Sequence, residues 1–335
     1  MPSRHRVYNG RVKTTPPLDS AAGLFALASA DLVPLRGGHT SHVYGFSRDG
    51  REYVLRLLPP QTGLDLSAQR SILAWMRFLG EHGATVPQPI ASSRGNLIEA
   101  LPQEDGEWQA IVLTRARGVL SEELALARWD APLFEALGRA VGKIHALAAE
   151  YDPPQALRRP DWPAGENLFR SPQFAEAALA GKAAGLLERI RGLPCGPESY
   201  GLIHADLHFA NFYVDAPARS ITIFDFDDCC YGWYGMDLAI LLFDVLVLYD
   251  GAQREEFARD FMCSLLTGYR REKPIDSFQL AQIPLFIKLL ELNLFGSISR
   301  NYVPGQGWWG DKFMPGRRER IEQDEPYVRL DFASL

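Results

Sequence analysis

A chain of 335 residues, 47% hydrophobic and 23% charged, is long and apolar enough to bury the cores of two lobes. Its formal net charge of -6 leaves no global basic field, so neither nucleic acid nor a membrane surface is expected as a partner. Four scattered cysteines, Cys195, Cys229, Cys230 and Cys263, form no C-x-x-C pair, which argues against a zinc site or a disulfide framework and for reduced thiols in a cytoplasmic protein.

The opening "MPSRHRVYNGRVKTTPP" is polar and lacks the apolar stretch of a secretory signal. "SAAGLFALASA" (20–30) has helical spacing of apolar residues. "HVYGF" and "EYVLRLL" read as strands, and the "SRDG" between them carries the Asp-Gly signature of a tight hairpin. A helix is expected over about 65–82, ended by "TVPQPIAS". The strands "NLIEAL" and "WQAIVLTRA" follow, separated by "PQEDGE".

From Gly118 the composition turns helical. Leu133, Leu137, Val141, Ile144 and Leu147 share one face of a helix over 131–151, proline-rich linkers follow at 153–163, and further helices are expected at 173–192 and within 236–302. The longest apolar run, "LAILLFDVLVL" (238–248), is interrupted by Asp244 and far short of a membrane span, so it reads as a buried helix. The expectation is an α+β chain: a β-rich N-terminal portion (1–115) joined through "VLTRARG" to a helical C-terminal portion (116–335).

The chemistry gathers in "GLIHADLHFANFYVD" (201–215) and "SITIFDFDD" (220–228), two strand–loop units with polar residues at the strand ends. Ionised groups beside Ile, Phe and Val runs resist desolvation and need compensation. His204, Asp206 and Asn211 match H-x-D-x-x-x-x-N, and Asp225, nineteen residues after Asp206, matches an acid of the D-F-G type. In phosphoryl transfer the first Asp accepts the proton of the attacking hydroxyl, while the Asn and the later Asp hold a metal bridging the β- and γ-phosphates. An oxygen-rich set of this kind suits Mg²⁺. The competing structural reading is an acidic, solvated hairpin whose Asp residues cap helices.

"IHADLHFANFYVD", "FDFDDCCYGWYGMDLA" and the upstream "LGRAVGKIHALA" resemble the aminoglycoside phosphotransferase and choline kinase superfamily. "YVLRLLPP", "VPQPIAS" and "GRRERIEQDEPYVRLD" look closest to its homoserine-kinase-like and stress-response-kinase-like bacterial members. The resemblance spans about 33–330 and implies a bilobal protein-kinase-like fold using ATP and Mg²⁺. It implies Asp206 as catalytic base, Asn211, Asp225 and Asp227 around the metal, and His204 and Asp237 as supports of the catalytic loop. The hinge at Thr114 to Ala116 would meet adenine.

"LRGGHTSHVYGF" stands where the family has a glycine-rich loop without matching G-x-G-x-x-G; Gly37, Gly38 and Ser41 would still let backbone N–H groups approach phosphate. Arg56 stands where the family has its phosphate-holding lysine, and keeps the charge. The Glu that usually pairs with this cation is replaced by Ile72, leaving Asp65 as a substitute or Arg56 held by phosphate alone.

Among the remaining residues, His145 reads as a satisfied core histidine and "GRRER" (316–320) as a solvated helix face. Trp308 and Trp309 could stack on a substrate or cover the core. Only eight residues separate Asp228 from Asp237, too few for the activation loop of a protein kinase. The expected activity is therefore transfer of the γ-phosphate of ATP to a hydroxyl of a small molecule such as an amino alcohol, an amino acid or an aminoglycoside. A stress-response Ser/Thr protein kinase and a non-catalytic kinase-like binding protein are the alternatives.

Overall fold

The computed structural model of the protein describes residues 15–35, 41–60, 65–162, 177–299, 302–305 and 308–335. The N-terminal elements are α1 (Leu18–Leu24), β1 (Val33–Pro34), β2 (His42–Arg48), β3 (Arg51–Leu58), α2 (Leu66–Glu81), β4 (Pro89–Ile90), β5 (Glu99–Gln103) and β6 (Gly106–Thr114). The strands form one antiparallel sheet in the order β1-β2-β3-β6-β4, with β5 also paired to β6. Asp49 and Gly50 both take positive φ (51° and 71°), which gives the β2–β3 hairpin the two-residue turn that "SRDG" predicts.

Strand alternation divides this sheet into two faces. Leu55, Leu57, Trp108, Ala110 and Val112 pack with Ala21, Ala22 and Phe25 of α1, whereas Ile111 and Leu113 join the cluster that contains Ile72, Trp75 and Leu79 of α2. Arg56 lies between Leu55 and Leu57 and pairs in register with Ile111, so it projects from the α2 face. The expected helix over 20–30 is shorter than its apolar spacing suggests. Ala26 takes left-handed φ (55°), and the rest is a single 3-10 turn at Ser29–Asp31.

Past the hinge come β7 (Val119–Leu120), α3 (Ala131–Ala148), α4 (Ala177–Arg191), β8 (Tyr200–Ile203), β9 (Phe212–Asp215), β10 (Ser220–Ile223) and β11 (Cys230–Trp233). The chain ends in α5 (Tyr234–Leu248), α6 (Arg254–Tyr269), α7 (Ser277–Leu280), α8 (Ile283–Ile298), α9 (Trp308–Phe313) and α10 (Arg317–Glu322). Gly118 carries the crossing between halves: its φ is 92°, and a Cβ there would sit 2.1 Å from the Val214 carbonyl of β9, against which β7 pairs. Two short antiparallel pairs, β8–β11 and β9–β10, carry the polar strand ends. Helix α5 is buried almost along its whole length. By length and composition Ser277–Ile298 could cross a membrane, but 61% of it is buried in the protein, as in a core helix.

The reading of "GRRER" as a solvated face needs correction at Arg317. That guanidinium is buried, donates to Glu291 (2.8 Å) and to the Phe313 carbonyl (3.0 Å), and lies over the rings of Phe313 and Tyr327. Glu291 also accepts from Lys288 (2.6 Å), so its buried carboxylate is shared by two cations.

Helices α3 and α6 meet backbone to backbone. A Cβ on Gly138 would lie 1.8 Å from the Leu265 carbonyl, and one on Gly268 1.8 Å from that of Glu135. Gly138→Ala should therefore cost about 1–3 kcal/mol through forced separation of the helices. Gly181→Ala on α4, where nothing lies within 4 Å, should be neutral or stabilising. Thermal unfolding of the two variants checks this, and equal melting temperatures would contradict the close contact.

Candidate active site

The loop after β8 turns sharply at Ala205, whose φ is 66°. That turn leaves two backbone donors without strand partners, and the Asp237 carboxylate takes both: Oδ2 accepts from His204 N–H (2.9 Å) and Oδ1 from Ala205 N–H (2.8 Å). Asp237 is buried in the first turn of α5, where the helix dipole favours a negative charge. Its Oδ2 also meets His145 Nε2 (3.0 Å), and His145 Nδ1 meets the Tyr269 hydroxyl (3.0 Å). Burial pushes the His145 pKa down despite the nearby carboxylate, so the ring is neutral. It donates from Nε2 and accepts at Nδ1. His145 is thus a core histidine with both nitrogens used, and it props the residue that props the loop.

Seven residues along the same helix, Asp244 Oδ2 accepts from Phe209 N–H (2.8 Å). Loop 204–211 is therefore fixed at both ends by carboxylates of α5. The sequence shows Asp244 only as an interruption of an apolar run; its distance of two helical turns from Asp237 is the signal that could have revealed it.

His204 joins the two polar segments. Its buried ring is held neutral by desolvation, Nε2 donates to the Phe224 carbonyl (2.9 Å), and Nδ1 accepts from Asp206 N–H (3.3 Å). Asn211 Nδ2 donates to both the carbonyl (2.8 Å) and Oδ2 (3.1 Å) of Asp206, and Phe224 N–H returns a bond to the Asn211 carbonyl (3.0 Å). His208 packs within the loop, with Nδ1 accepting from Ala210 N–H (3.1 Å) and Nε2 lying 3.5 Å from Asp206 Oδ2. Asp206, Asn211 and His204 are thus brought together as their spacing predicts.

Asp225 follows in left-handed conformation (φ 68°, ψ 60°) and opens a single 3-10 turn, Phe226–Asp228. Arg56 reaches this turn from β3. Its Nη1 and Nη2 meet Asp227 Oδ1 (3.2 Å) and Oδ2 (2.7 Å) as a two-pronged fork, and Nη2 lies 3.9 Å from Asp225 Oδ1. So the acid that pairs with Arg56 is Asp227. Neither residue of α2 does: Ile72 is buried among apolar side chains, and Asp65 is the helix N-cap, accepting from Ala68 N–H (2.7 Å).

One residue of this neighbourhood carries no motif signal. Arg159 is buried, and its Nε and Nη2 donate to the carbonyls of Cys229 (2.8 Å) and Asp227 (3.0 Å). Burial pushes the Cys229 thiol up to about 12 and raises Cys230 further, which fits inert thiols.

On the N-terminal side Ser41 opens β2; it is buried, and its Oγ finds no hydrogen-bond partner among the described residues. Gly37 and Gly38 lie outside the described residues, as do the side chains of Trp308 and Trp309. At the hinge, Thr114 N–H is taken by the Gln88 carbonyl (2.9 Å) and Arg115 N–H by that of Glu52 (3.0 Å). Among the described residues no backbone carbonyl accepts from Ala116 N–H.

A family model described as the phosphotransferase enzyme family matches residues 31–275. The amicoumacin kinase of Bacillus subtilis (strain 168) is 30% identical over 315 residues, 92% of each chain. A homoserine kinase of Pseudomonas aeruginosa (strain LESB58) is 27% identical over 288 residues, 82% of this chain and 84% of its own. The solved structure of an amicoumacin kinase in complex with AMP-PNP, Ca²⁺ and Ami superposes with a TM-score of 0.84 at 28% identity, covering 95% of each chain. The expected bilobal α+β, kinase-like fold and the superfamily resemblance are both borne out.

Because His145 is neutral when folded and ordinary when unfolded, the unfolded chain binds the proton more tightly as acidity rises. Its contribution to stability should be complete above the ordinary imidazole value of 6.5 and lost as pH falls below it. Denaturant unfolding at pH 8 and pH 5.5 should show a smaller loss in His145→Gln than in the parent protein. An identical loss would contradict the neutral, buried ring.

Proposed function

The chain belongs to the phosphotransferase enzyme family and is a small-molecule kinase acting on hydroxyl acceptors, and from that premise we propose that it moves the γ-phosphate of ATP, with Mg²⁺, onto a hydroxyl of an amino alcohol, an amino acid or an aminoglycoside-like compound. The observation that carries this reading is the fixed loop: Asp206 is oriented by Asn211 and His204 and anchored by Asp237 and Asp244. A carboxylate held so can accept the proton of an acceptor hydroxyl as its oxygen attacks phosphorus.

Asn211 and Asp225 would hold the metal. Among the described residues no three His, Cys, Asp or Glu side chains form a closed ligand cage, and Mg²⁺ typically takes one or two carboxylates and completes its shell with phosphates and waters. Bound there, it would neutralise charge on the β- and γ-phosphates. Asp227 serves as counter-ion to Arg56, and would add a carboxylate to the metal's surroundings beside Asn211 and Asp225.

Residues 1–115 form the nucleotide lobe in this reading and 116–335 the acceptor lobe. Arg56 supplies the phosphate-facing charge. Ser41 supports the role of 36–41 as the phosphate loop, since an orphaned buried hydroxyl there suits a phosphate oxygen. The adenine contact assigned to Thr114–Ala116 falls chiefly to Ala116 N–H, with hinge carbonyls as acceptors. Amicoumacin and homoserine, for which two relatives are named, are the first acceptors to test.

Asp206→Asn should lower turnover by about 10²–10⁴-fold while Mg-ATP affinity stays within about 3-fold. Asp225→Asn should instead weaken the metal-dependent part of nucleotide binding. ADP release over an acceptor panel and calorimetric titration with Mg-ATP read the two effects. Parent-level turnover in both variants would overturn the assignment. Mg-ATP at millimolar concentration should also raise the melting temperature by linkage, and no shift would favour a non-catalytic binding protein.

A further inference from the structure

We infer that Arg159 is a positioning residue that fixes the metal-carrying turn 225–229 and ties it to helix α2 of the N-terminal half. The inference rests on the phosphotransfer reading above and deepens it. The turn Phe226–Asp228 is closed by a bond from Cys229 N–H to the Phe226 carbonyl (3.1 Å). Like the end of any helical segment, it leaves carbonyls that need donors from elsewhere. Arg159 supplies them, at Asp227 and Cys229, and points its remaining Nη1 at the Ala68 carbonyl in the first turn of α2 (3.5 Å). Three donors on one plane thus reach two elements that lie 91 and 68–70 residues away in sequence.

The guanidinium cannot drift, because its own segment is fastened. Tyr231 N–H donates to the Pro160 carbonyl (2.9 Å), Trp162 N–H donates to the Tyr231 carbonyl (2.6 Å), and Asp161 bridges in parallel to Tyr231. Residues 160–162 therefore dock beside β11 through a single parallel bridge at Asp161, and they present Arg159 to the turn. Asp227 ends up held twice: its carboxylate by Arg56 of β3, its carbonyl by Arg159 of the C-terminal half. In this chain α2 offers no acid to the site, since Ile72 is buried in the core and Asp65 caps the helix. Arg159 takes over the linking of α2 to the catalytic segment, through a backbone carbonyl.

A lysine would keep the charge at Arg159 but not three donors in a plane. A methionine would keep the bulk and strand the carbonyls of Asp227 and Cys229.

The test measures AMP-PNP affinity with and without Mg²⁺, together with amide exchange of the 224–231 segment in nucleotide-free protein, for the parent, R159M, R159K and R158M. R159M should lose roughly 10-fold or more of the Mg²⁺-dependent gain in affinity, the range seen when a residue supporting a metal ligand is removed. Its metal-free affinity should stay within about 3-fold, and its 224–231 amides should exchange faster before any nucleotide is added. R159K should fall between the two, and carries the test if R159M does not fold. R158M, which removes an exposed partner of Asp161, should match the parent in metal dependence. R159M or R159K with the parent's metal dependence and slow exchange, whatever its melting temperature, overturns the inference alone. A parent protein that binds no AMP-PNP with or without Mg²⁺ overturns the phosphotransfer reading and the inference with it.

Discussion

Two carboxylates buried in one apolar helix determine where Asp206 sits. Asp237 and Asp244 are two turns apart on α5, on one face, and both look at the loop after β8. A carboxylate taken out of water is costly unless it accepts hydrogen bonds. A loop that bends through a left-handed residue has the converse problem, because its N–H groups leave the strand ladder. Each side relieves the other. His204, Ala205 and Phe209 give their amides to the helix, and the helix fixes the path of everything between them, Asp206 included. Asp237 gains further from the N-terminal dipole, which Asp244, two turns in, does not share.

The second constraint crosses between the halves of the chain. Sheet alternation sends Leu55 and Leu57 toward α1, so Arg56 must emerge on the other face, over the turn that holds Asp225 and Asp227. A planar fork that meets both oxygens of Asp227 fixes distance and orientation together. Because the acid sits on that turn and not on α2, the ion pair is a link between lobes and not a brace within one. The loss of an acid at position 72 therefore does not strand the cation. It relocates the partner, and with it the place where the two lobes are coupled.

How much of this could be read from the sequence follows from contact range. His204, Asp206 and Asn211 lie within eight residues, and Asp225 follows the hairpin β9–β10 that begins directly after Asn211, so their spacing alone makes the cluster legible. The β2–β3 hairpin was legible for the same reason, through Asp49 and Gly50. Arg159, Asp244 and Arg317 were not. Each acts on a partner 26 or more residues away, at 70, 35 and 26 respectively, and a lone charge in a linker or a helix does not announce which carbonyl or carboxylate it will meet. Proximity in sequence points to Asp65, the nearest acid upstream of Ile72, but the helix N-cap is the stronger demand on it.

The path from the turn Phe226–Asp228 back to Asp237 bears on the acceptor. Cys230 to Trp233 are consumed in pairing with Tyr200 to Ile203, and Tyr234 already begins α5. Tyr231 is further occupied by the 160–162 segment. Of the eight residues between Asp228 and Asp237, Cys230–Trp233 are strand and Tyr234–Met236 are helix, with Cys229 alone outside both, so the stretch is too short to form a surface along which a peptide could lie. A protein kinase recognises its substrate with a long segment in this position. Here the same stretch is short and largely structural, which accords with the small-molecule kinases to which the chain is related.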